Sequence, residues 1–161
     1  VAIFLTDGRV KFTFPNGKTE ERDSTAGSTL WTPAISHLPE NTGNSEFEVF
    51  LVELKRRPAR RALTQQGPVK VDANHYKVES QNASVRVLRV KIAAGEKSVM
   101  HRHPDAVAIF LTGGRVKFTF PDGKTEERDV TAGSTLWTPA ITHQPENIGG
   151  TDFEVILVEL K

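Results

Sequence analysis

The chain has 161 residues, 37% hydrophobic and 25% charged, with 21 Lys+Arg against 20 Asp+Glu and a formal net charge of +1. That is enough apolar material for one ordinary domain or two small ones, and the charge balance gives no global field that would select nucleic acid, an anionic membrane or an acidic substrate. The absence of cysteine excludes disulfides, thiolate metal ligands and a cysteine nucleophile, and no run approaches the ~20 apolar residues of a membrane-spanning helix.

In chain order, Val1 to Thr6 reads as a strand that runs into a D-G turn. R-V-K-F-T-F at 9–14 alternates polar and apolar residues before a P-N-G turn. G-S-T-L-W-T and F-E-V-F-L-V-E-L predict two further strands. Residues 55–61, K-R-R-P-A-R-R, are basic and broken by proline, so 56–68 is expected to be an exposed linker. V-K-V-D at 69–72, H-Y-K-V-E-S at 75–80 and V-R-V-L-R-V-K-I at 85–92 read as strands, with turns at Asn74, Gln81 and Asn82. No long segment has helical periodicity, so an all-β fold with little helix is expected.

The chain repeats itself. Residues 1–55 and 107–161 align without gaps and differ at only ten positions, among them Ser36/Thr142, Leu38/Gln144 and Phe50/Ile156. A repeat of this length is a duplicated structural unit rather than a solenoid period.

Between the copies, G-E-K-S-V-M-H-R-H-P-D-A-V-A-I-F-L-T-G-G spans Gly95 to Gly114. In an extended strand His101 and His103 project to one side while Arg102 points away. Two imidazoles in one space require a third to hold a divalent cation by neutral nitrogen, and His143 is available in G-S-T-L-W-T-P-A-I-T-H-Q-P-E-N at 133–147. His101, His103 and His143 are therefore the candidate metal ligands, for iron, nickel, zinc, manganese or copper. Asp105 follows Pro104 and is expected to shape a turn rather than bind metal. Met100, opposite in phase to His101, is expected to pack in the barrel. Trp31, Trp137, Phe12, Phe14, Phe118 and Phe120 are expected in a core or interface.

Together G-x5-H-x-H and G-x5-P-x3-H-x3-N resemble the two sequence motifs of the cupin superfamily. The resemblance implies a double-stranded β-helix, a jelly-roll barrel with its histidines inside, complete over 69–161 and present over 1–55 only as a closing half. It implies that Val107 stands where the family usually has a ligand glutamate, and that His143 falls one position early after Pro139. His37, Gly27, Pro33 and Asn41 repeat part of the second motif without an H-x-H, so the first copy is expected to bind no metal. Its missing opening strands suggest residues preceding Val1, strand addition to the second barrel or, in a swapped arrangement, to a second copy, or competition of both closing halves for the single opening half at 69–106.

Members of this superfamily include dioxygenases, isomerases and decarboxylases, and three-histidine sites occur in thiol dioxygenase relatives. The implied function is a metal-binding protein acting on a small molecule, with a ligand-binding or dimerisation barrel holding no metal as the alternative. No general base is expected near the site. Tyr76, the one tyrosine, lies outside both motifs, which argues against epimerase chemistry that pairs histidine with tyrosine. A homodimer through barrel edge strands, a small-molecule ligand, no nucleic-acid or membrane partner and a cytoplasmic location complete the expectations.

Overall fold

A computed structural model describes residues 1–55 and 67–161. They divide into two compact units, Val1–Glu53 and Leu54–Lys161. Of the predicted basic linker at 56–68, residues 56–66 lie outside the described residues. Among the described residues no helix is long and apolar enough to cross a membrane.

The first unit contains β1 (Ala2–Phe4), β2 (Gly8–Thr13), β3 (Thr19–Ser24), β4 (Thr29–Leu30), β5 (Leu38–Asn41) and β6 (Val49–Leu51). They form two three-stranded sheets, ordered β4-β1-β6 and β3-β2-β5.

The second unit opens with a correction. V-K-V-D does not form a strand: α1 (Pro68–Val71) makes a single helical turn, closed by Asp72 N donating to Pro68 O at 2.7 Å. Proline has its φ preset for a helix start and lacks an N–H that would be unpaired there. Then follow β7 (Tyr76–Gln81), β8 (Val85–Ile92), β9 (His101–His103), β10 (Ala106–Phe110), β11 (Gly114–Thr119), β12 (Thr125–Val130), β13 (Thr135–Thr138), β14 (Ile141–Asn147) and β15 (Phe153–Leu160). Gln81 lies in β7 rather than in the turn. Asn82 makes that turn, its Oδ1 accepting from the backbone N–H groups of Ser84 and Val85 at 2.7 and 3.1 Å.

Two antiparallel sheets result, β13-β10-β15-β8-β7 and β12-β11-β14-β9, facing each other as a jelly-roll sandwich. The period-2 alternation read from the sequence decides which side chains meet between them. Val90 and Ile92 of β8, Phe110 of β10, Val116 of β11, and Phe153 and Val155 of β15 are all buried on the inner faces. The β11–β12 turn is made by Pro121-Asp122-Gly123-Lys124. Gly123 takes φ +82°, in the region that favours glycine, and its N–H donates to Phe120 O at 2.9 Å.

Near-identical sequence in the two copies gives strands of unequal length. β2 and β3 match β11 and β12 residue for residue and pair in the corresponding register, Val10↔Arg22 against Val116↔Arg128. β5 and β6 instead have 4 and 3 residues where β14 and β15 have 7 and 8. The missing parts of β5 and β6 correspond to residues of β14 and β15 that pair with β9 and β8. The first unit has no counterpart of β8 or β9, and a strand is defined by its ladder partners.

Candidate metal centre

β9 is an edge strand and pairs antiparallel with β14 in the register Ile141↔His103, Thr142↔Arg102 and His143↔His101. Directly opposite residues on one face are side-chain neighbours, so this register alone places His143 beside His101. Alternation along β9 brings His103 to the same face. Both are nearly sealed from solvent, at 1% and 3% exposure, while Arg102 is exposed. The three rings contact one another edge to face, with centroids 4.6 to 5.2 Å apart. One nitrogen from each lies within 4.8 Å of the others.

The tautomers follow from the partners of the opposite nitrogens. His101 Nδ1 lies 2.7 Å from the carbonyl oxygen of Val99, which only accepts, so Nδ1 carries the hydrogen. His103 Nδ1 lies 2.7 Å from Glu159 Oε1. The other carboxylate oxygen, Oε2, accepts from Arg86 Nε and Nη2 at 2.6 and 2.5 Å, which leaves Oε1 to accept from His103 Nδ1. A neutral imidazole has one N–H. When both rings are neutral, both Nε2 atoms present lone pairs, and they face each other at 2.8 Å.

Two lone pairs at that distance repel unless a positive centre lies between them. Burial, and after it the neighbouring His103, push His101 down to about 4, so His101 itself is neutral near neutral pH. Burial, with His103 and His101, pushes His143 down to about 2, and its buried Nε2 has no hydrogen-bond partner. Three converging imidazoles, each with one nitrogen within 4.8 Å of the others and one of those nitrogens unpartnered, are a donor set that fits a divalent transition ion.

Glu159 and Arg86 were not among the predicted residues. They are a cross-strand pair between β15 and β8, with Glu159 fully buried and Arg86 nearly so. A sequence signal existed. Glu159 shares the phase of Phe153, Val155 and Leu157, and Arg86 that of Leu88, Val90 and Ile92, so opposite charges occupy the apolar phases of two neighbouring strands. In the first copy the equivalent Glu53 is exposed.

Tyr76 is the second addition. It lies outside the motifs but inside the barrel, its ring centroid 4.7 Å from that of His101 and 5.8 Å from that of His103. Exclusion of a histidine–tyrosine pair on grounds of sequence position therefore fails. Burial raises the Tyr76 phenol pKa, keeping it protonated. Beside it Ser98 Oγ donates to Asp72 Oδ2 at 2.6 Å, and Asp72 receives His75 Nδ1 at 2.8 Å. Burial raises Asp72, but the bonds from Ser98 and His75 outweigh it and hold Asp72 below its ordinary value.

Other expectations divide. Asp105 is not in the histidine cluster and shapes its turn by accepting from Ala140 N at 2.8 Å. Met100 is 37% exposed rather than packed in the barrel, and Trp137 is 55% exposed. Val107 is not the wall residue facing the site: Ala106 and Ala108 line the cavity, because the phase of β10 turns Val107 to the other face. None of the three carries a carboxylate. His37 is exposed and sits edge-on to Phe12 at 5.1 Å and 87°, whereas its counterpart His143 stacks on Phe118 at 5.3 Å and 13°.

A cavity that opens to solvent at its mouth adjoins the cluster between the sheets. His103, His143 and Tyr76 form its polar end, and its walls are aliphatic and aromatic.

An antiparallel double-sheet barrel with imidazoles converging inside defines the class. Residues 88–159 match the family model described as the cupin domain, and the second unit belongs to the cupin superfamily. A crystal structure of a cupin domain from Bordetella pertussis is similar at 26% identity, covering 53% of this chain and 91% of that one with a TM-score of 0.50. A cupin superfamily protein from Desulfitobacterium hafniense shares 21% identity over 68% of this chain and 98% of its own, TM-score 0.42. A cupin 2 conserved barrel domain protein from Salinispora arenicola shares 23% over 66% and 88%, TM-score 0.43. No curated protein matches the chain.

Proposed function

We propose that the second unit is a metal-binding cupin in which His101, His103 and His143 hold one divalent transition ion, iron, nickel, zinc, manganese or copper, and that it acts on a small molecule in the adjoining cavity in the manner of three-histidine oxygenases. The observation that supports this most is the convergence of the three rings, with the Nε2 atoms of His101 and His103 2.8 Å apart beside the unpartnered Nε2 of His143. Such an ion supplies Lewis acidity and, when it is iron or copper, a redox couple.

The protein's own residues do the rest. Glu159 fixes the tautomer and ring orientation of His103, and Arg86 holds Glu159 in place through its other oxygen. The Val99 carbonyl does for His101 what Glu159 does for His103. The apolar walls exclude water and strengthen electrostatic interactions at the inner end.

One observation favours a second reading, a barrel that binds its ligand without turnover: no carboxylate among the described residues lines the cavity, and Glu159 is already engaged on both oxygens. Metal analysis of untagged protein tests the first reading. It expects near one equivalent of transition metal in the parent and none in a His101→Ala, His103→Ala double variant. Absence from both, after reconstitution with each of the five ions, overturns it.

A further inference from the structure

The cavity walls specify a ligand more narrowly than its presence does. Polar residues lining it are few: Tyr76, His103 and His143 at the inner end, and Thr138, whose hydroxyl is already donated to the Ala106 carbonyl at 3.2 Å. Among the described residues, no lysine, arginine, aspartate, glutamate, asparagine or glutamine lines it. Arg86, the buried cation of the same sheet, is bound through Nε and Nη2 to Glu159 and does not line the cavity. The remaining wall is apolar, and Phe118, stacked on His143, extends a flat aromatic face from the cluster along it. On the opposite sheet Ala106 and Ala108 leave room above that face.

A hydroxyl or charge brought against such a wall loses its water and finds no partner. A sugar needs partners around its whole ring. A nucleotide or a zwitterionic amino acid needs a cationic side chain away from the metal end. Neither requirement is met.

Resting on the three-imidazole reading above, we propose that the ligand of this site is a small molecule with a single donor head, directed at His101, His103 and His143, and an uncharged apolar body, aromatic or branched aliphatic, lying between Phe118 and Ala108. The class is that of aryl and alkyl monocarboxylates, phenols and related single-headed compounds. Dianions, sugars, nucleotides and amino acids fall outside it.

The test uses the full chain and calorimetric titration. In zinc-loaded protein, 4-methylbenzoate and terephthalate share a head and a ring and differ only at the far end, as a methyl group or a second carboxylate. The expected result is at least tenfold tighter binding of 4-methylbenzoate. Equal or tighter binding of terephthalate overturns the proposal. In metal-free protein, p-cresol is expected to bind at least tenfold tighter than 4-hydroxybenzoate. That arm judges the cavity by itself, so failure to take up zinc counts against the three-imidazole site alone. No p-cresol binding at millimolar concentration in either form overturns the ligand class. Ala108→Leu is expected to lower p-cresol affinity at least tenfold while zinc content is kept. If that variant does not fold, Leu136→Lys at the half-buried rim is expected to shift the preference in metal-free protein toward 4-hydroxybenzoate, and an unchanged preference counts against the proposal.

Discussion

Replacing Glu159 by glutamine tests the support of the site without changing its shape. Glu159 is wholly buried and serves two donors at once, Arg86 through Oε2 and His103 Nδ1 through Oε1. A glutamine amide offers one acceptor oxygen and an NH₂ group, so one of the two donors must face another donor. The positive charge of Arg86 then remains buried without its counter-charge. Removing one partner of a buried pair costs about 3–5 kcal/mol. Because one hydrogen bond survives in glutamine, we expect the lower end, about 3 kcal/mol. Native-state hydrogen exchange of the β8 and β15 amides reads this quantity for the sheet that carries the pair. Zinc affinity should fall about 10–100-fold in the same variant, the usual consequence of losing the partner that orients a ligand histidine. The double variant Arg86→Met, Glu159→Leu should recover most of the stability but not the affinity, since packing replaces the pair while His103 remains unanchored. A Glu159→Gln protein within 1 kcal/mol of the parent, with unchanged zinc affinity, would refute this reasoning.

Acid should destabilise the metal-free protein. His101 and His143 have folded pKa values of about 4 and about 2, against an ordinary 6.5, so below pH 6.5 the unfolded chain binds protons that the folded chain refuses. Stability is complete above about pH 6.5 and is lost as pH falls toward 4, by up to about 3 kcal/mol from His101 alone at ~1.4 kcal/mol per pH unit. Denaturant unfolding at pH 7 and pH 5 measures it, and a His101→Asn, His143→Asn variant should flatten the slope. Asn147 is buried and donates to the carbonyls of Ile92 and Thr151 while accepting from Gly149 N, whereas exposed Asn41 keeps only the two local bonds. Asn147→Ala should cost roughly 2–3 kcal/mol and Asn41→Ala about 1 kcal/mol, and equal costs by hydrogen exchange in the two units would contradict the comparison. His143→Ala should abolish zinc uptake and His37→Ala leave it unchanged, as read by metal content per chain.

The sequence alone determined what depends on local alternation. Phase along β9 put His101 and His103 on one face, β8 was legible residue for residue from V-R-V-L-R-V-K-I, and the two motifs brought His143 into the candidate set. Only the tertiary structure decided which distant strands lie side by side. Glu159 reaches His103 across 56 positions of chain, and Tyr76 enters the barrel through strand pairing that no local pattern encodes. One step of phase in β10, invisible to motif spacing, turned Ala108 rather than Val107 toward the cavity. The duplicated halves make the reason plain: His37 and His143 lie in nearly the same sequence, yet one is exposed and the other joins the three-histidine cluster inside the barrel. The difference is β9, because a strand's length and the burial of its side chains are set by the neighbour it pairs with.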